Sequence, residues 1–170
     1  QNAIIDWDFT NISIKEKIVN FPVITQGFIG CTSENFTTTL GREGSDFTAA
    51  ILAYSLNASS LTIWKDVDGV LNADPRFFSK THLLNNISFT EAIELAFYGA
   101  KVIHPKTIQP LQKKSIPLQV RSFINLDNPG TLINDTKKSS KIPSYIVKEN
   151  QVLISTSDNE LSFIIEEHLS

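Results

Sequence analysis

The sequence predicts an α/β domain built on a mostly parallel sheet with crossover helices. Two short apolar, partly β-branched runs, Phe21 to Gln26 (FPVITQ) and Leu61 to Trp64 (LTIW), read as buried strands. Between them lie a Gly-containing loop and a helical pattern from Ser45 to Ala58. The order strand, Gly-rich loop, helix, strand is the unit that builds a parallel sheet, because a crossover helix must cover the sheet face it leaves behind.

Each element has its own local signal. The first helix offers Ser45 and Asp46 at its start as a cap, followed by Ala49, Ala50, Ile51, Leu52, Ala53 and Leu56. Ser88 with Glu91 forms a capping box ahead of Ala92, Ile93, Leu95, Ala96 and Phe97, and Gly99 is placed to stop that helix. Pro105 suits the first turn of a further helix, and Pro117 to Phe123 (PLQVRSF) alternates like a strand. From Asp135 to Pro143 the composition turns polar and basic, which reads as a linker. Beyond it come an alternating stretch, Tyr145 to Ser157, and an amphipathic one, Leu161 to Leu169. One strand and one helix cannot bury their apolar faces alone, so 144–170 reads as the truncated opening of a second, α+β domain after a first domain at 1–134 and a linker at 135–143.

Composition narrows the function. A content of 41% hydrophobic and 19% charged residues excludes wholesale disorder in a chain of 170 residues. A net charge of -3 gives no electrostatic footprint for wrapping nucleic acid or docking on an anionic membrane. No apolar run approaches the roughly 18 residues of a membrane span. Cys31 is the single cysteine, so neither an intrachain disulfide nor a Cys-based zinc site can form, which fits a reducing compartment. The sequons at Asn11, Asn35, Asn57, Asn86 and Asn134 read as coincidence in a chain rich in Asn, Ser and Thr. The chain opens on Gln1 and contains no Met, which reads as a start within a longer polypeptide.

Three segments carry candidate chemistry. In Thr37 to Ala49 (TTTLGREGSDFTA), two glycines flank Arg42 and lead into a helix whose first turn holds Ser45 and Asp46. Backbone N–H groups, a guanidinium and a carboxylate thus meet at one helix N-terminus, which suits an anion, and Arg42 can grip a carboxylate in a bidentate fork. The plain alternative is an ordinary turn and cap with Arg42 exposed. Trp64 to Arg76 (WKDVDGVLNADPR) leaves the C-terminal end of a strand, where open α/β sheets bind ligands. There Asp66 and Asp68 could meet a ribose or hydrated magnesium, and Lys65 and Arg76 phosphates or adenine; a turn with solvated charges fits the same residues. In Tyr98 to Pro105 (YGAKVIHP), Lys101 lies between two helices, within reach of polyphosphate oxygens, whereas His104 before a helix-starting Pro is read as structural.

In this order, TTTLGREGSDFTAA, KDVDGVLNADPR and FYGAKVIHPKT resemble the consecutive signatures of the aspartate kinases, within the amino-acid kinase superfamily; PVITQGFIG and NPGTLI fit the same pattern. The resemblance implies a three-layer α/β sandwich, of which this chain is the C-terminal, nucleotide-binding half, followed by the start of an ACT-type regulatory domain. It implies a cytoplasmic, homo-oligomeric enzyme that uses ATP and Mg2+ to phosphorylate the β-carboxylate of L-aspartate. Arg42, Gly44 and Ser45 would hold the α-carboxylate end of aspartate, and Asp46 would orient catalytic lysines. Lys65, Asp66, Leu71, Arg76, Lys101 and Val102 would border the nucleotide, Lys101 also serving catalysis. A carboxylate acceptor is already ionised at neutral pH, so positioning and cations rather than a general base carry the reaction.

Three departures qualify the match. Glu43 stands where the family commonly has Gly, which is compatible with an anion site if its side chain points to solvent. Leu71 replaces an aromatic residue that often lines the adenine pocket. The family's Lys-Phe-Gly-Gly segment, with a phosphate-binding lysine, does not occur in these residues, nor do the upstream Thr and Glu of the aspartate pocket, so the 170 residues alone are expected to be inactive. Kinases of glutamate, acetylglutamate or a nucleoside monophosphate share the Asp-Gly-Val and Asp-Pro-Arg loop and are the nearest alternative; a non-catalytic regulatory or assembly module is another. The Leu-Gly-Arg-Glu-Gly-Ser-Asp loop favours aspartate.

Overall fold

A computed structural model describes residues 4–98, 102–136, 142–147 and 149. Helix α1 (Trp7–Lys17) leads to an antiparallel hairpin of β1 (Ile29–Cys31) and β2 (Thr37–Thr39), then to helix α2 (Gly44–Ser55) and strand β3 (Leu61–Lys65). Strand β4 (Asn86–Ser88), helices α3 (Phe89–Tyr98) and α4 (Pro105–Lys113), and strands β5 (Leu118–Ser122) and β6 (Thr131–Asn134) follow. The main sheet is mixed, with strand order β3-β5-β6-β4; β3 pairs β5 and β4 pairs β6 in parallel, whereas β5 and β6 are antiparallel. The chain is therefore α/β as expected.

Register explains where the core sits. Side chains alternate across a pleated strand, so Ile63, Leu118, Val120, Ser122, Thr131, Ile133 and Ile87 share one face, and all of them are buried. Ala50 and Ala53 of α2, Ala92 and Leu95 of α3, and Ile108 and Leu111 of α4 join that face in a single core. The opposite face carries Trp64, 47% exposed, and the half-buried Gln119, Arg121 and Leu132. Among the described residues the helices thus cover one face of the main sheet, two layers rather than the three expected. A smaller core of Leu40, Phe47 and Ile51 receives Ile5, Trp7 and Ile14, so α1 packs on α2, with the Trp7 and Tyr54 rings 4.8 Å apart.

Local signals placed several elements well. Ser88 Oγ accepts from the Glu91 N–H at 3.1 Å while Glu91 Oε2 accepts from the Ser88 N–H at 2.8 Å, a closed capping box at α3. His104 caps α4 by accepting the Lys106 N–H on Nδ1 at 3.1 Å, and Pro105 takes the first turn. The structural reading of His104 holds.

Other expectations give way. Phe21 to Gln26 is not a strand: among the described residues the segment pairs with no other strand, and Ile24 is 99% exposed. Apolar β-branched composition makes a strand only where a ladder partner and a covered face exist. Leu61 to Trp64 is a strand, extended by Lys65, yet only Ile63 is fully buried because β3 forms one edge of the main sheet. Helix α2 starts at Gly44, and its cap is Glu43 in a left-handed conformation (φ 52°), with neither Ser45 nor Asp46 in that role. Helix α1, the hairpin, β4 and β6 lie outside the elements expected from the sequence, although Asp6 caps α1 by accepting the Phe9 N–H at 3.0 Å. Gly99, Lys101 and nearly all of the expected second domain lie outside the described residues.

Candidate functional site

The first motif is assembled by the hairpin. The Leu40 N–H donates to the Phe28 carbonyl at 2.9 Å, which continues the hairpin pairing up to the Gly-Arg-Glu-Gly turn. The Phe28 N–H donates in turn to Thr48 Oγ1 at 2.9 Å, and that hydroxyl donates to the Gly44 carbonyl at 2.9 Å, so the turn is tied to the first two turns of α2. Gly44 is closely packed: a Cβ there would lie 2.7 Å from Phe28 Cδ2 and 3.2 Å from Leu40 Cβ, so the Phe28 ring would have to move. No side chain caps α2, which leaves the N-terminal end of the helix free to meet an anion. Arg42 and Ser45 are exposed on this turn, and Asp46 is half-buried one residue inside it.

Glu43 behaves differently from expectation. Its Oε2 is shielded from solvent and has no hydrogen-bond partner. The left-handed backbone at Glu43 turns the side chain back against the protein instead of out into water.

The second motif begins where β3 ends. Lys65 is the last residue of β3, beside Ser122 at the end of β5, and the Phe123 N–H closes onto the Lys65 carbonyl at 2.9 Å. Lys65 Nζ lies 2.6 Å from Asp46 Oδ2, with side-chain exposures of 22% and 17%. This ion pair joins the Arg42 turn to the Lys65 loop, residues that the sequence places in separate motifs. Asp46 was expected to orient lysines; among the described residues the lysine it meets is Lys65.

Beyond Lys65 the loop is pinned from beneath. Gly69 adopts φ +142°, and a Cβ there would lie 2.6 Å from Thr131 Oγ1 and 2.9 Å from Leu83 Cδ1. Because nothing larger fits, the next residue reaches the core: the Val70 N–H donates to the buried Thr131 Oγ1 at 2.8 Å. Asp66 and Asp68 project from the exposed part of the same loop. Leu71 is half-buried and bridges to Leu83, and Val102 is half-buried against the main core.

Arg76 is already engaged. Its Nε and Nη2 grip the Asp74 carboxylate at 2.6 to 3.1 Å, and its backbone N–H donates to Asp74 Oδ1 at 2.9 Å. Hydrogen bonding and charge from Asp74 push the guanidinium further up from its ordinary value. Any contact of Arg76 with a phosphate therefore requires it to leave Asp74 or to share it.

Sequence reasoning missed two residues that hold this loop, Thr131 and Asn72. Thr131 follows Pro129-Gly130, and nothing in its own neighbourhood marks it as a partner of the loop after β3. Asn72 sits in Leu-Asn-Ala-Asp-Pro, where Asn signals a turn, so only its surroundings in space reveal what it does. Its Oδ1 accepts from the His82 N–H at 2.7 Å, and its Nδ2 donates to the Pro143 carbonyl at 3.0 Å.

Known proteins resemble this chain in sequence and in fold. The model of the amino acid kinase family matches residues 14–122. Lysine-sensitive aspartokinase 3 of Escherichia coli (strain K12) is 45% identical over 133 residues, covering 78% of this chain and 30% of that protein. The chloroplastic bifunctional aspartokinase/homoserine dehydrogenase 2 of Arabidopsis thaliana is 42% identical over 139 residues, covering 78% of this chain and 15% of that protein. Among solved structures, E. coli aspartokinase III in complex with aspartate and ADP superposes with a TM-score of 0.77 at 40% identity, covering 81% of this chain and 32% of that one. Clostridium acetobutylicum aspartate kinase gives 0.71 at 32% identity, covering 79% and 31%. This chain thus spans a third or less of the length of these relatives. With the glycine turn and the Lys65 loop both inside residues 14–122, the chain belongs to the amino acid kinase family, as a domain homologous to the aspartokinases.

Proposed function

We propose that this chain is the nucleotide-side part of an aspartate kinase, which transfers the γ-phosphoryl group of ATP to the β-carboxylate of L-aspartate. The observation that carries the reading is the Asp46–Lys65 pair at 2.6 Å. It sets an anion-binding turn beside a loop at the carboxyl end of a strand, so an acceptor and a phosphoryl donor can approach each other.

In this reading Arg42 and the N-terminal end of α2 take the α-carboxylate of aspartate, because a guanidinium fork and free N–H groups match its two oxygens. Lys65, held by Asp46, presents an ammonium at the nucleotide side, and Lys101 supplies a second one. Asp66 and Asp68 suit Mg2+, which keeps several waters and takes one or two protein carboxylates together with phosphates. When bound, Mg2+ neutralises charge on the phosphoryl oxygens during transfer. The reaction needs no base, so the chain's own residues bind, orient and neutralise. Residues of the same polypeptide outside this chain and a second copy of it are the expected partners, and the cytoplasm is the expected setting.

The test is ADP release by the full-length protein with L-aspartate, L-glutamate, N-acetylglutamate or UMP as acceptor. Aspartate-dependent release alone supports the assignment; release with another acceptor and none with aspartate refutes it. Arg42→Ala should then raise the KM for aspartate by about 1.5 to 3 kcal/mol in binding terms, the worth of a hydrogen bond to a charged group, and leave the KM for ATP within twofold. A loss confined to ATP would contradict the role given to Arg42.

A further inference from the structure

Glu43 is unfavourably placed in two respects at once. It is held in the left-handed region at φ 52°, where a Cβ is crowded and glycine is favoured. Its Oε2 is shielded from solvent and meets no donor, so part of the carboxylate is desolvated without a hydrogen bond in return. Residues held under such strain cluster at functional sites, which directs attention to what its side chain does at the N-terminal end of α2.

The neighbours of Glu43 define the chemistry. Arg42 precedes it and is exposed, and the first N–H groups of α2 follow it with no side chain capping them. Both are donors for a carboxylate. Asp46, the other carboxylate of this turn, meets Lys65 at 2.6 Å, whereas Glu43 meets no cation among the described residues. Glu43 as a whole is half-buried, not sealed in the core. A carboxylate without a cation thus adjoins a turn built to bind one anion. An α-amino acid matches that pair, because its ammonium and its carboxylate sit on the same carbon.

We propose that Glu43 is a specificity-determining residue that takes the α-ammonium of the amino-acid acceptor, while Arg42 and the N-terminal end of α2 take its α-carboxylate. The inference rests on the reading that this turn binds the acceptor. A dicarboxylic acid without the ammonium leaves Glu43 facing a second anion, so the residue both attracts the amino acid and rejects its analogue. Two substitutions isolate the charge. Glu43→Gln keeps the size of the side chain, and Glu43→Gly relieves the left-handed backbone and removes the shielded oxygen.

The experiment uses the full-length protein with L-aspartate as substrate and succinate, which is aspartate without its ammonium, as competitor. Both variants should raise the KM for aspartate by about tenfold, the low end for a hydrogen bond to a charged group, and leave the KM for ATP within about twofold. The inhibition constant of succinate should not rise, so the preference for aspartate over succinate falls by about tenfold. Glu43→Gly should not lower the melting temperature. Equal losses for aspartate and succinate, with a lower melting temperature, give Glu43 a partner within the protein and overturn the proposal. Succinate that inhibits neither wild type nor variants also overturns it, since something other than Glu43 then excludes the analogue. A wild type that uses aspartate with the same preference as both variants refutes the role of Glu43 alone, whereas a wild type that uses no aspartate refutes the acceptor reading together with it.

Discussion

Breaking the Asp46–Lys65 pair tests most directly whether the two motifs form one site. The side chains keep 22% and 17% exposure, and the contact is 2.6 Å, so the pair lies between two known limits. Exposed ion pairs contribute about 0.2 to 1 kcal/mol, and removal of one partner of a fully buried pair costs about 3 to 5 kcal/mol. For a pair about four-fifths covered we expect Lys65→Met and Asp46→Asn each to cost about 2 kcal/mol, discounted from the buried limit for residual solvent. Once either partner is gone the other has little left to lose, so the double variant should cost about 2.5 kcal/mol, leaving a coupling of about 1.5 kcal/mol. Urea unfolding of the 170-residue chain reports this by fluorescence, because Trp64 adjoins Lys65 in β3. The urea slope should stay constant while the midpoint moves. A coupling below about 0.5 kcal/mol, within the range of independent sites, would mean that the contact is incidental and that the turn and the loop are not held together by it.

Two further substitutions probe the frame around the site. Gly69→Ala must place a Cβ 2.6 Å from Thr131 Oγ1 at a φ that L side chains rarely adopt, and should cost about 3 kcal/mol by overpacking and backbone strain, read as a lower urea midpoint; a neutral result would show that the loop is not pinned on Thr131. Ser88→Ala should cost about 1 kcal/mol, and adding Glu91→Ala should cost less than the sum, because the two residues cap α3 reciprocally; additive losses would contradict the closed box.

Much of the fold was legible because its causes are local. A capping box is four consecutive residues, and Ser88 to Glu91 marked the start of α3 without knowledge of anything else in the chain. Pro105 and the alternation of Leu118 to Ser122 likewise report backbone preferences of their own neighbourhood. The glycine turn before α2 and the Asp-Gly loop after β3 were readable for the same reason, since conformations that exclude a Cβ leave a visible trace in the residue type.

What the sequence by itself determined, then, was the element types with strong local signals, the α/β class, the family, and the residues from which a site is built. The tertiary structure alone decided which of them meet. Asp46 and Lys65 are 19 positions apart, and their contact depends on how α2 lies against β3. Asn72 reads as a turn residue, and its bond to the Pro143 carbonyl depends on a segment some 70 positions away. Phe21 to Gln26 has the composition of a buried strand and stays exposed, because a strand is completed by its neighbours and none of the described ones pairs with it. Local chemistry is written along the chain, whereas pairing and burial belong to two surfaces at once, and only the folded arrangement brings both into contact.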